Sequence, residues 1–168
     1  VSATVSVTDS DQDEATTTAT ADLSGALTID DDAPSVSVGS IDLGSLELAT
    51  DDTQTRGDGT SQATGSVAAL FESAIDATYG ADGAGSTVVS DYALVLNGSV
   101  THSLTSGGTA LVFTQLAGGD IVATAGAGGA EVLRFSVDSA GNLTITQSAA
   151  VDHAPDADSL SLPANLIS

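Results

Sequence analysis

Five turn signals cut the second half of the chain into short pieces: Asn97-Gly98, Gly107-Gly108, Gly118-Gly119, Gly128-Gly129 and Asp138-Ser139-Ala140-Gly141-Asn142. Paired glycines and Asn-Gly supply the conformations that tight hairpin turns need and that helix interiors reject. The pieces between them, 88–96, 110–116, 121–125, 132–137 and 143–146, are rich in Val, Leu, Ile and Thr and read as strands. Upstream, 36–38 reads the same way, and so does 41–48, where Ile41 and Leu43 and then Leu46 and Leu48 alternate. Strands recurring about every 8 to 12 residues with such punctuation predict an all-β fold, an Ig-like, Greek-key β-sandwich. One segment departs from this pattern. Val67, Leu70, Phe71 and Ala74 fall at helical spacing, which predicts about two turns of helix near 67–76 capping one end of the sandwich.

Charge narrows the function. The 168 residues carry 23 Asp and Glu against two Arg and no Lys, a formal net charge of −21. Such a chain repels polyphosphate, so nucleic acid is excluded as a partner and an anionic membrane surface nearly so. Only 15% of residues are charged and 41% are hydrophobic, too apolar for the disorder that high net charge brings. Folding is therefore expected, with help. Disulfides cannot supply that help, because cysteine is absent. A cation remains. No run of about 18 apolar residues exists to insert in a bilayer, and no signal peptide is visible. The chain opens on Val1 rather than Met and is expected to be a piece of something larger.

Thirteen of the 23 carboxylates fall in the first 58 residues, and they cluster. The first cluster, Asp9-Ser10-Asp11-Gln12-Asp13-Glu14, separates two β-prone runs, 3–8 and 15–21. A hairpin loop offering carboxylates at i, i+2 and i+4 turns all three toward one oxygen cage, the chemistry that Ca2+ requires. Asp9, Asp11, Asp13 and Glu14 are the candidate ligands. The second cluster, Asp30, Asp31 and Asp32, ends one strand before Pro34 and is a candidate metal site at a domain junction. The third, from Asp51-Asp52 to Arg56-Gly57-Asp58, lies among polar residues without apolar period and reads as a mobile loop. His102 and His153 stand in no recognisable motif and are expected at the surface or in turns; no nucleophile has a visible base. An enzyme is not expected.

Several stretches carry a resemblance: 3–15 (ATVSVTDSDQDEA), 27–36 (LTIDDDAPSV), 79–98 (YGADGAGSTVVSDYALVLNG), 119–137 (GDIVATAGAGGAEVLRFSV) and 147–167 (QSAAVDHAPDADSLSLPANLI). Together they resemble the tandem repeats of giant bacterial adhesins of the repeats-in-toxin (RTX) class, exported by type I secretion. The resemblance covers nearly the whole chain. It implies a calcium-stiffened β-sandwich, secreted to the cell surface of a Gram-negative bacterium and acting in adhesion and biofilm formation. Two departures stand out. The GGxGxD nonapeptides of calcium β-rolls are absent, so any metal must use the Asp clusters, and Gln12 stands where the family's DxDGD turn usually has Gly. In a tandem array, residues 162–168 would run on into another residue 1. The expected division is then a closing β-hairpin and acidic linker at 1–33, ending one repeat, and a β-sandwich body at 34–168.

The leading expectation is an extender or stalk module stiffened by calcium, with neighbouring repeats as its partners. The alternative is a sugar- or peptide-binding module engaging a host or biofilm surface ligand.

Overall fold

A computed structural model describes residues 1–28, 31–43, 46–55, 59–153 and 159–168. The described chain is all-β, built from antiparallel strands with one short helix, and is consistent with an all-β sandwich. It divides into two units. The first comprises Val1–Ser35 and Thr78–Gly85, the second Val36–Ala77 and Ser86–Ser168.

The first unit is dominated by a hairpin of β1 (Ser2–Thr8) and β2 (Glu14–Thr20), in register from Ser2↔Thr20 to Thr8↔Glu14. The period-2 sequence sets its faces: Ala3, Val5, Val7, Ala15, Thr17 and Ala19 share one, and Ser2, Thr4, Ser6, Thr8, Glu14, Thr16, Thr18 and Thr20 take the other. All fourteen strand residues are exposed. In the same unit, Gly80 takes φ +68°, and a Cβ there would lie 2.9 Å from both the Cβ and the carbonyl oxygen of Asp32, so this approach requires glycine.

β3 (Ser35–Val38) pairs with β5 (Ile75–Thr78), and the main sheet, in the second unit, has six strands. Its order is β4 (Ser61–Ser66), β10 (Asn142–Gln147), β9 (Glu131–Val137), β8 (Ile121–Ala125), β7 (Thr109–Gln115) and β6 (Thr105–Ser106). The last five strands in sequence form a meander, each joined to the next by a glycine-containing turn that the sequence announces. Gly107 and Gly108, with φ +56° and +75°, make the two-residue β6–β7 turn, where primed turn geometry needs both residues at positive φ.

Register carries one row of side chains to the inner face: Leu111 opposite Ala125, Phe113 opposite Ala123, Ala123 opposite Leu133, Ile121 opposite Phe135, and Phe135 opposite Ile145. A β-bulge between Ala123 and Thr124 leaves Val132 without an opposite number, and Val132 and Leu133 are both buried. The core is Leu104, Leu111, Ile121, Ala123, Val132, Leu133 and Phe135; Leu94, Leu96, Val151 and Ile167 pack against it as the covering layer. Gln115 holds that layer down, its Nε2 donating to Leu94 O at 2.5 Å and its Oε1 accepting from Leu96 N at 3.3 Å. On the other face Val122 is 6% exposed and lies in register with Arg134, which is held by Glu131 and Asp120.

The helix α1 spans Ala68–Ser73 and sits at the β9–β10 turn. Val67 N donates to Gly141 O at 2.8 Å, and Phe71 meets Tyr92 edge-on at 5.7 Å. It is shorter than its apolar spacing predicts, because Ile75 is drawn into β5. Other expectations shift. The 88–96 run forms only a bridge, Leu96↔Ile167, supported by reciprocal Val95 and Ser168 backbone bonds. Residues 41–43 and 46–48 lie outside any strand; Leu46 and Leu48 instead lie over Gly65 of β4, where a Cβ would come within 2.7 Å and 3.1 Å of them. The polar run 61–66, unassigned from sequence, is the sheet's edge strand, tied to β10 by Thr64–Thr144 and Gln62–Thr146 side-chain bonds.

Phe135 is 3% exposed, with cross-strand partners on both sides. Phe135→Ala is expected to destabilise the second unit by about 3–5 kcal/mol, measured by chemical denaturation, with Val38→Ala, 59% exposed in the wild type, as a near-neutral control.

Candidate metal centre

The Thr8↔Glu14 pair closes a loop of residues 9–13 at the tip of the first hairpin. Asp9 organises it. Its N–H donates to Asp13 O at 3.1 Å and its carbonyl accepts from Gln12 N at 3.2 Å. Its Oδ1 accepts the backbone amides of Asp11 at 3.2 Å and Asp13 at 3.0 Å, an Asx turn that folds the loop back on its own first side chain. The result brings one carboxylate oxygen from each of Asp9, Asp11 and Asp13 within 4.8 Å of the others, all on exposed residues. Two oxygens on opposite sides of a bound calcium-sized ion stand about 5 Å apart, so the trio is spaced to share one divalent cation. Hydrogen bonding, with the Asp11 side chain first and the Asp13 amide next, holds the Asp9 carboxyl below its ordinary range.

Glu14 opens β2 opposite Thr8 and lies outside the trio. Asp31 and Asp32 occupy an irregular exposed stretch, with Asp32 against Gly80, and they too stand apart from it. Asp30 lies outside the described residues, as do Arg56, Gly57 and Asp58. The start of the third acidic cluster is ordered, against the expectation of a mobile loop. Asp51 Oδ1 accepts from Thr53 N and Oγ1 at 2.9 and 2.7 Å, a 3-10 turn covers Asp52–Thr55, Thr55 is buried, and Asp51 N donates to Ser61 Oγ.

The same use of carboxylates recurs away from the trio. Asp138 Oδ1 accepts from Ala140 N and Asn142 N at 2.9 Å each, and its Oδ2 from Asn142 Nδ2 at 2.8 Å, closing the β9–β10 turn. Asp152 accepts from Gly107 N and Gly108 N at 3.0 and 2.7 Å. Asp22 accepts from Ser24 N and Oγ. Each has its carboxyl held low by these donors, led by the Asn142 side chain at Asp138, the Gly108 amide at Asp152 and the Ser24 side chain at Asp22. Of the histidines, His153 is exposed, whereas His102 is half-buried, edge-on to Phe113 at 5.0 Å, with Nδ1 buried and unbonded. That departs from the expected surface placement, because the covering layer carries residue 102 onto the sheet.

Gln12 has φ +79°, the conformation for which a glycine would be chosen. The left-handed region costs a residue with a side chain about 1–2 kcal/mol, partly offset by glycine's greater freedom when unfolded. Gln12→Gly is therefore expected to stabilise the loop by up to about 1 kcal/mol, read as slower hydrogen exchange at the Asp11 and Asp13 amides. At Asp138 the folded carboxyl titrates below its unfolded value, so its contribution is present above the ordinary carboxylate range and is lost as pH falls through the lowered value. Asp138→Ala should lower the melting temperature at neutral pH, and the gap to wild type should close on acidification below about pH 4.

Among the described residues, no helix is long and apolar enough to cross a membrane. No curated protein and no solved structure matches the chain. The family model described as a domain of unknown function (DUF5801) matches residues 47–168, a span that includes the whole six-stranded sheet but not the Asp9–Asp11–Asp13 loop. With well over half of its length matched, the chain belongs to the DUF5801 family.

Proposed function

We propose that this chain is a calcium-stabilised structural module, an extender or stalk element, of a bacterial cell-surface adhesin of the RTX class that acts in adhesion and biofilm formation. The observation that carries this reading is the gathering of Asp9, Asp11 and Asp13 at one hairpin tip, spaced for one ion. Composition supports it: with 23 carboxylates and two arginines, a divalent cation relieves repulsion that the chain's own side chains cannot. The resemblance of 3–15, 27–36 and 79–98 to adhesin repeats supports the location, outside a Gram-negative cell, where calcium is abundant enough to fill carboxylate sites. On this reading the sites fill, and the fold stiffens, after type I secretion. Neighbouring repeats are the partners, with 1–33 as a closing hairpin and 34–168 as a body. Calcium is favoured over magnesium because magnesium demands a smaller octahedral cage and keeps its waters.

The competing reading, a sugar- or peptide-binding module, draws on a depression of about 650 Å3 lined by Leu104, Leu133, Phe135, Ile145 and Val151, within the size range of small-molecule sites. The lining is mixed, with Asp51, Asp52, Gln147 and His153 beside those apolar side chains.

Melting in millimolar calcium, in magnesium and in EDTA at matched ionic strength tests the proposal. Calcium should stabilise by about 2.7 kcal/mol at a hundredfold excess over Kd, and magnesium by much less. Asp11→Ala should remove most of that increment, and Glu72→Gln, a charge change on the exposed helix face, almost none of it. Equal loss from both substitutions, or identical melting with calcium and EDTA, overturns the metal reading.

A further inference from the structure

The turn that opens the covering layer contains the chain's single Asn-Gly pair, Asn97-Gly98. Both residues are exposed. The Asn97 side chain is folded back along its own backbone, with Oδ1 accepting from Ser99 N at 3.1 Å. This Asx turn fixes the side chain against its own turn, and the hydrogen bond polarises that carbonyl. The backbone is held on either side as well: Asn97 N donates to Leu166 O at 2.9 Å, and Val100 N to Asn97 O at 3.1 Å. The Gly98 N–H makes no hydrogen bond among the described residues, and a Cβ built at Gly98 would find no atom within 4 Å. Nucleophile and electrophile are thus adjacent, the nucleophile is unengaged, and no side chain on Gly98 shields it.

We propose that Asn97 is a site of spontaneous covalent modification by succinimide formation in the folded protein. The Gly98 backbone nitrogen attacks Asn97 Cγ. The new N–Cγ bond closes a five-membered imide, the Cγ–Nδ2 bond breaks, and the nitrogen leaves as ammonia, carrying away the proton that Gly98 gives up. Water then opens the ring at either carbonyl, leaving an aspartyl or an isoaspartyl residue at position 97. No redox partner or metal takes part, and either product adds one negative charge to a chain already at −21. The isoaspartyl product also inserts a methylene into the backbone immediately after Leu96. That residue forms the bridge to Ile167 and is held by Gln115, so the modification loosens the covering layer where it is fastened to the sheet.

The other asparagines provide internal comparison. Asn142 is followed by Leu143, and its amide is engaged by Asp138 Oδ2; Asn165 is followed by Leu166. Incubation of the full-length folded chain in mildly alkaline buffer, with peptide mass spectrometry and isoaspartyl-methyltransferase labelling, reads the reaction directly. The peptide holding Asn97 should gain the mass difference between amide and acid and become labelled, while the Asn142 and Asn165 peptides stay unchanged. Gly98→Ala should slow the conversion severalfold, and aged protein should melt below fresh protein. Conversion at Asn97 no faster than at Asn142, or conversion only in denaturant, overturns the proposal, the second because the folded turn would then protect the site rather than present it.

Discussion

Ile121 and Phe135 face each other across β8 and β9 in the middle of the six-stranded sheet, and the second unit is arranged around that pair. They are 0% and 3% exposed, and the flanking Ala123–Leu133 and Phe135–Ile145 pairs extend the layer in both directions. With no Trp or Met and three Phe in the chain, burial rests on aliphatic side chains, which must interdigitate closely to exclude water. The bulge that leaves Val132 unpaired lets two consecutive residues of β9 enter the interior. Segments without regular strand structure, around Leu94, Leu104, Val151 and Ile167, then close the face.

The acid surplus is handled at the turns. Asp22, Asp51, Asp138 and Asp152 each accept two or more donors from the first residues of a turn or from a nearby hairpin, so the carboxylate does the work of a backbone acceptor. Their negative charge is partly balanced by these donors, chiefly the Ser24 and Thr53 hydroxyls at Asp22 and Asp51, the Asn142 side chain at Asp138 and the Gly108 amide at Asp152, which lowers each carboxyl's titration range. Arg134 is the one arginine among the described residues, and it is spent on Asp120 and Glu131, with its stem beside Val122 in register. The Asp9 loop begins as the same kind of capped turn and differs in placing two further carboxylates beside the first. A capped turn and the Asp9–Asp11–Asp13 cluster are therefore one local design with different numbers of carboxylates.

What could be read in advance followed the strength of local signals. The β7–β10 strands were legible because apolar residues and paired glycines both mark them, and the Asp9, Asp11, Asp13 spacing announced a cluster because i, i+2, i+4 carboxylates in a short loop have few other ways to turn. Strand β4 was not legible: SQATGS has no apolar period, and its membership comes from Thr64 and Gln62 meeting Thr144 and Thr146 on the neighbouring strand. Leu46 and Leu48 alternate like strand residues, yet they serve as cover because Gly65 leaves a hollow that they fill.

By itself, then, the amino-acid sequence determined the all-β class, the position of nearly every hairpin turn, the short helix and the acidic loop, since each depends on residues within a few positions of one another. Only the tertiary structure decided which segments pair and which merely cover, and that His102 lies against Phe113. Those outcomes depend on partners up to 84 residues away, as Gln62 and Thr146 are. Local pattern cannot encode them, because a strand's edge partner and a side chain's cover are chosen by what else is left unburied once the central strands have paired.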